Sequence, residues 1–201
     1  MKKIMFNDRY GLTEAVLSGR KTQTRRIVPK RIFQSEHDID DDARKIWIED
    51  MYGDWHDVRK SKYCFKVGEV VAIAQSYKDC TEECIKTTGL EVTTKPHLAK
   101  EPGYKNKMFV RADIMPHRIR ITNVRMERLQ DISDEDCFRE GIRDYSTPNE
   151  KRFGFSDFKR EDIFCSRTPR GAYAVLIDHI SGNGTWLSNP YVFVYDFELV
   201  K

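Results

Sequence analysis

Apolar and polar positions along this chain fall into blocks whose period switches between helical and extended. Lys3 to Phe6 reads as a short strand. In the next block, Tyr10 to Ser18, Leu12, Ala15, Val16 and Leu17 lie near helical spacing, and Gly19 stands where a helix is closed. Gly68 to Tyr77, opened by the turn Lys66-Val67-Gly68-Glu69, has the continuous apolar run of a buried strand. From His117, Ile119 and Ile121 alternate with Arg118, Arg120 and Thr122. Val124 and Met126 then continue the alternation displaced by one residue, which predicts a bulge near Asn123.

Two further helices are marked by their caps. Ser133 can cap a helix whose first turn carries Asp134, Glu135 and Asp136, with Asp136 completing a capping box, and that helix runs to about Glu140 before Gly141. Thr168-Pro169 opens another, with Tyr173, Leu176, Ile177 and Ile180 on its apolar stripe and Gly182 at its end. The last block, Tyr191 to Val200, sets Tyr191, Phe193, Tyr195, Phe197 and Leu199 on one face and Val192 and Val194 on the other. A strand apolar on both faces belongs inside a sheet. Residues 32–62, 78–107 and 143–166 lack a clear period and read as insertions on one α+β domain spanning 1–201, with Trp47 and Trp55 packing the first insertion onto the main body.

Charge changes this picture. Residues 1–35 hold nine Lys and Arg against Asp8 and Glu14, whereas the whole chain is only +3. The segment Gly19-Arg20-Lys21-Thr22-Gln23-Thr24-Arg25-Arg26 concentrates four cations and two threonines with no acid, as a site for an anion does, and the acids Glu36, Asp38, Asp40, Asp41 and Asp42 follow. The alternative is a solvated basic turn. The weak overall charge disfavours tight non-specific duplex binding, so a single strand, a nucleotide or a nucleoside is the better partner.

Five scattered cysteines, Cys64, Cys80, Cys84, Cys137 and Cys165, do not form a disulfide framework and read as reduced thiols. Cys80 and Cys84 with Cys64 and His97 could in principle hold zinc, but no second close pair completes that pattern. The sequence implies no metal and no cofactor. Lys2 and Lys3 are followed by Asn7, Asp8 and Arg9 and not by an apolar stretch, and no segment has the apolar length of a membrane span, so the expected location is the cytoplasm with no membrane partner.

LSGRKTQTRRIV at 17–28, KVGEVVAIAQSY at 66–77, VRMERLQDISDEDCFREGI at 124–142 and LIDHISGNGTWLSNPYVFVYDFELV at 176–200 together resemble the ASCH domain family, in particular its larger prophage-associated members. The resemblance implies a PUA-like mixed β-barrel flanked by helices, with the three insertions as loops hung on it, and a role around RNA or modified nucleosides. Small members of the family that hydrolyse acylated cytidines use a lysine and a threonine of the basic segment and a glutamate of the helix after the long strand. Those positions are here Lys21, Thr24 and Glu140. A threonine hydroxyl needs a neighbouring base, and a lysine serves as one only when burial or nearby cations lower its pKa. An exposed Lys21–Glu140 salt bridge is the alternative.

The chain departs from the family where a carboxylate is expected after the Gly-Glu turn: Gln75 stands there, in Ala72-Ile73-Ala74-Gln75-Ser76-Tyr77. An amide both donates and accepts, so Gln75 can still read a base edge, and Tyr77 keeps an aromatic face. Trp186, after Gly182-Asn183-Gly184, either stacks on a base or caps the end of the barrel. The expectation drawn from all this is a cleft binding RNA or a modified nucleoside, using Arg20, Lys21, Arg25, Arg26, Gln75, Tyr77 and Trp186. The rival is an amidohydrolase acting on an N-acylated nucleobase such as N4-acetylcytidine through Lys21, Thr24 and Glu140.

Overall fold

A computed structural model describes residues 1–30, 32, 37–40, 45–49, 52–79 and 103–200. The fold is mixed α+β. Its main sheet has five strands: β1 (Lys3–Ile4), β2 (Gln23–Ile27), β6 (Val70–Ile73), β7 (Arg118–Arg128) and β11 (Tyr191–Val200), in the order β1-β6-β7-β11-β2. β1 and β6 are parallel and the other neighbours antiparallel. The paired order is open, with β1 and β2 at its ends.

The long strands are those whose apolar pattern is sharpest. β7 carries the bulge: Asp196 faces Asn123 but Phe197 faces Ile121, so Thr122 is the extra residue. That single insertion lets Ile119 and Ile121 before it, and Met126 after it, all reach the core. β11 lies between β7 and β2, and Tyr191 to Phe197 are buried without a break, as a strand covered on both faces requires.

The helices begin and end where their caps stand. α1 (Leu12–Leu17) follows a short 3-10 turn at Asp8–Tyr10, and Gly19 takes a φ of 75°. α2 (Asp134–Arg139) is capped by Ser133 Oγ, which accepts from the Asp136 backbone N–H. Asp136 does not complete the expected box, because its carboxylate is drawn to Arg25 and Arg125. α3 (Pro169–Ser181), capped by Thr168, presses Ala172, Tyr173, Leu176 and Ile177 onto the core, and α4 (Thr185–Ser188) follows it.

Two of the three insertions are not loops. Residues 37–57 contain β3 (His37–Asp40), β4 (Lys45–Glu49) and β5 (Trp55–Asp57), an antiparallel sheet of their own. Its attachment is made by Ile46 and, just beyond it, Val58, both fully buried, while Trp55 is 45% exposed. Residues 143–166 contain β8 (Arg143–Asp144), β9 (Phe153–Asp157) and β10 (Asp162–Ser166), a second small sheet packed on α3 through Phe155 and Phe164. Most of the 78–107 insertion lies outside the described residues. No helix among the described residues is long and apolar enough to cross a membrane.

Candidate active site

The basic segment turns Lys21, Arg25 and Arg26 inward. After Gly19 the chain reverses, the Lys21 N–H donates to Ala15 O at 2.7 Å, and β2 begins. Lys21 is 2% exposed and its Nζ donates to the Glu140 carbonyl at 2.7 Å and to Glu140 Oε2 at 2.5 Å. The carbonyl is one of those a helix end leaves unpaired, so Lys21 also serves as a cation at the C-terminus of α2. Burial pulls the Lys21 ammonium below the usual lysine range, and Glu140 opposes that while Arg26 and Arg25 reinforce it.

Arg25 is the hub of the surrounding network. Its Nε and Nη2 donate to Glu127 Oε1 at 2.9 and 2.6 Å, Nη2 also to Asp136 Oδ2 at 2.7 Å, and Nη1 to Glu140 Oε1 at 3.2 Å and Gln23 Oε1 at 2.5 Å. Burial disfavours its charge, but Glu140, Tyr173, Glu127 and Asp136 more than offset that, and the group is held charged. Arg125 and Arg139 add bonds to Asp136 and Asp196. Glu140 thus sits between two cations, with one oxygen on Arg25 and the other on Lys21.

Lys21, Thr24, Arg25, Arg26 and Glu140 line one cavity of about 250 Å³. Its remaining wall is largely apolar, from Phe6, Leu12, Leu176 and Ile177, with Tyr173 among them. Thr24 is 4% exposed, and its hydroxyl makes no hydrogen bond with any described residue. Arg26 sends one terminal nitrogen to the Met5 carbonyl, but its buried Nε–H has no partner, and burial lowers its pKa. The Tyr173 hydroxyl is likewise unpaired among the described residues, and burial holds its pKa well above the usual tyrosine value.

The other residues singled out in the sequence lie elsewhere. Arg20, at the surface, bonds Glu14 and the Gly141 carbonyl. Gln75 lines a separate cavity, and Tyr77 packs beside Ala72, Ala74, Val110 and Met115 with its ring against Gly103. Trp186 meets Tyr173 edge-on at 6.3 Å between ring centres and accepts from Gln130 through its carbonyl, outside the Lys21 cavity. Tyr173 was not read as a site residue, since only the fold brings the α3 stripe over β2, whereas Arg26 was named and lines the cavity. Of the possible zinc ligands, Cys80, Cys84 and His97 lie outside the described residues, and Cys64 is buried, with its thiol pushed up by burial. Among the described residues no cluster of three His, Cys, Asp or Glu could hold a metal ion. No family model, no curated protein and no solved structure matches the chain.

Proposed function

We propose that the chain is an ASCH-type protein with a PUA-like barrel, and that its Lys21, Thr24 and Glu140 cavity hydrolyses the exocyclic amide of an N-acylated nucleobase such as N4-acetylcytidine. One observation carries this reading: a lysine 2% exposed, bonded to a buried glutamate, lines the same cavity as a buried threonine whose hydroxyl is unspent. A structural ion pair explains the first two groups but gives no reason for the third. The barrel is supported by the Arg26 bond to Met5, which bridges the two open ends of the sheet.

Neutral Lys21 accepts the Thr24 proton as Oγ attacks the acyl carbon. The C–N bond then breaks, and the leaving amine takes that proton back from Lys21. Water attacks the resulting threonine ester as Lys21 takes its proton; the ester C–O bond then breaks, Lys21 returns that proton to Thr24 Oγ, and the carboxylic acid departs with Thr24 and neutral Lys21 restored. Glu140 fixes the position of Lys21 through its carboxylate and its carbonyl. The Arg26 Nε–H and the Tyr173 hydroxyl are the donors available to a developing oxyanion. Drug-sized ligands fill roughly 300–1,000 Å³, so the 250 Å³ cavity suits one base better than a length of strand. Apolar walls suit the faces of such a ring.

Strand binding calls for a groove of free cations, and Arg25, 5% exposed and tied to three carboxylates, is not free. Incubation with N4-acetylcytidine is expected to release cytidine and acetate. Lys21→Ala, Thr24→Val and Glu140→Gln should each remove most of the rate, and the double variants should lose little more, because the groups act as one unit. Saturable nucleoside binding without release by the parent protein would overturn hydrolysis of this substrate and leave the cavity as a reader of modified bases.

A further inference from the structure

A second cavity, of about 580 Å³, lies on the other side of α1. At 3.6 residues per turn, Thr13, Glu14, Leu17 and Ser18 face away from Leu12, which lines the first cavity. Gln75, just beyond the end of β6, forms part of the wall. It is 7% exposed, yet its Oε1 is buried without any hydrogen-bond partner, and its Nε2 bonds no described residue. Folded proteins leave few buried polar groups unsatisfied, and an idle buried amide at a cavity wall calls for a ligand. A carboxamide offers one acceptor and one donor side by side, matching a ring edge that presents the complementary pair.

An aromatic surface stands at the same cavity. Phe158 is 59% exposed, and its ring lies against Gly11 so closely that a Cβ there would be 2.5 Å from Cε2. Gly11 has a φ of 65°, which favours glycine, and a Cβ there would also push the Phe158 ring aside. The Phe158 N–H donates to Arg9 O at 2.9 Å, which fixes the backbone that carries the ring. Among the described residues the charged groups of the wall are Asp8, Glu14 and Asp79, with no cation. Asp8 is paired with Lys107, and Glu14 with Arg20 and Arg143, all from outside the wall. Among the described residues of this wall, a phosphate meets carboxylates and no cation.

We propose that this cavity binds an uncharged planar ring bearing adjacent hydrogen-bond donor and acceptor groups, such as a free pyrimidine base or its nucleoside, and disfavours the phosphorylated form. The ring stacks on Phe158 and its polar edge satisfies Gln75. This site stands independently of hydrolysis in the first cavity.

Uridine is the probe, because the proposed hydrolysis does not generate it. In a titration of ¹⁵N-labelled protein followed by NMR, the Gln75 side-chain amide, assigned by its loss in Gln75→Leu, and the Phe158 backbone amide should shift and saturate together. Uridine 5′-monophosphate should bind at least about threefold more weakly. Gln75→Leu should abolish the saturable shift at Phe158 and should not lower the melting temperature, since it removes an unpaired buried amide. Phe158→Ser, at an exposed position, should weaken binding without disturbing the fold. No saturation at Gln75 and Phe158 up to about 10 mM uridine, shifts confined to residues of the first cavity, tighter binding of the monophosphate, or unchanged affinity in either variant would each overturn the proposal.

Discussion

Replacing Arg25 by Met tests the central electrostatic arrangement. The cluster balances four cations, Lys21 and Arg25 buried and Arg125 and Arg139 at its solvent side, against four carboxylates, Glu127, Asp136, Glu140 and Asp196. The Arg25 side chain is 0% exposed and those of Glu127 and Glu140 are 4% and 5% exposed, so water cannot take over the lost contacts. Methionine fills much of the aliphatic volume but leaves one negative charge uncompensated. Breaking a buried pair costs about 3–5 kcal/mol, and the ~4 kcal/mol between unit charges 4 Å apart at an effective dielectric of 20 is of the same size. At about 2–4 °C per kcal/mol for a chain of this length, the melting temperature should fall by roughly 6–20 °C. Urea unfolding at pH 7 and pH 5, with the slopes compared, measures the loss. Burial works to raise the Asp136 carboxyl, but Arg25 and Arg125 hold it below the usual range, so without Arg25 it keeps its proton more tightly in the folded state and the loss should shrink toward the acid side. Arg20→Met is the control, because its pair with Glu14 is 31% and 61% exposed and is worth about 0–1 kcal/mol. A loss at Arg25 no larger than at Arg20 would refute the reasoning.

Two further expectations concern pH. Lys21 must be neutral to take the Thr24 proton, so kcat/KM for the acylated nucleoside should rise with pH along a limb centred below the ~10.4 of a free lysine; a limb at or above that value removes Lys21 as the base. The Asp157 carboxyl, 1% exposed, is held down to about 2 by its hydrogen bonds from Arg9, so the stability it lends is complete above its unfolded value of ~3.9 and is lost as pH falls through about 2. Arg9→Met should therefore move the midpoint of acid unfolding, read by circular dichroism, to higher pH, and an unmoved midpoint contradicts the assignment.

What was legible in the sequence was whatever depends on near neighbours. Ser133 and Thr168-Pro169 mark their helix starts, the displaced alternation marks the bulge at Thr122, and the two-sided apolar face marks β11 as interior. The small sheets were missed because their strands, of two to five residues, rely on a few anchors such as Ile46 and Phe155 and otherwise alternate weakly. The candidate site was half legible. Lys21, Thr24 and Glu140 could be named from the resemblance, but the cations of the basic segment looked free because the acids that engage Arg25 lie more than 100 residues away. Gln75 was grouped with them, whereas α1 stands between the two cavities.

The position of β11 bears on how the chain is made. β2 pairs, among the described strands, with β11 alone, so Gln23 waits for Asp196, its register partner, before the strand has a ladder. At roughly 5–20 residues per second on the ribosome, that interval is on the order of 10 to 30 s. Throughout it β2 has no ladder partner among the described strands, from the synthesis of β7 onward the edge of β7 that takes β11 is open as well, and the cluster around Arg25 lacks Asp196. Pairings this distant in sequence close slowly, so the rate at which the protein reaches its folded state should depend on β11 more than on any helix. A nascent chain halted before Tyr191 would carry Lys21, Thr24 and Glu140 yet lack the strand that sets Thr24 in place.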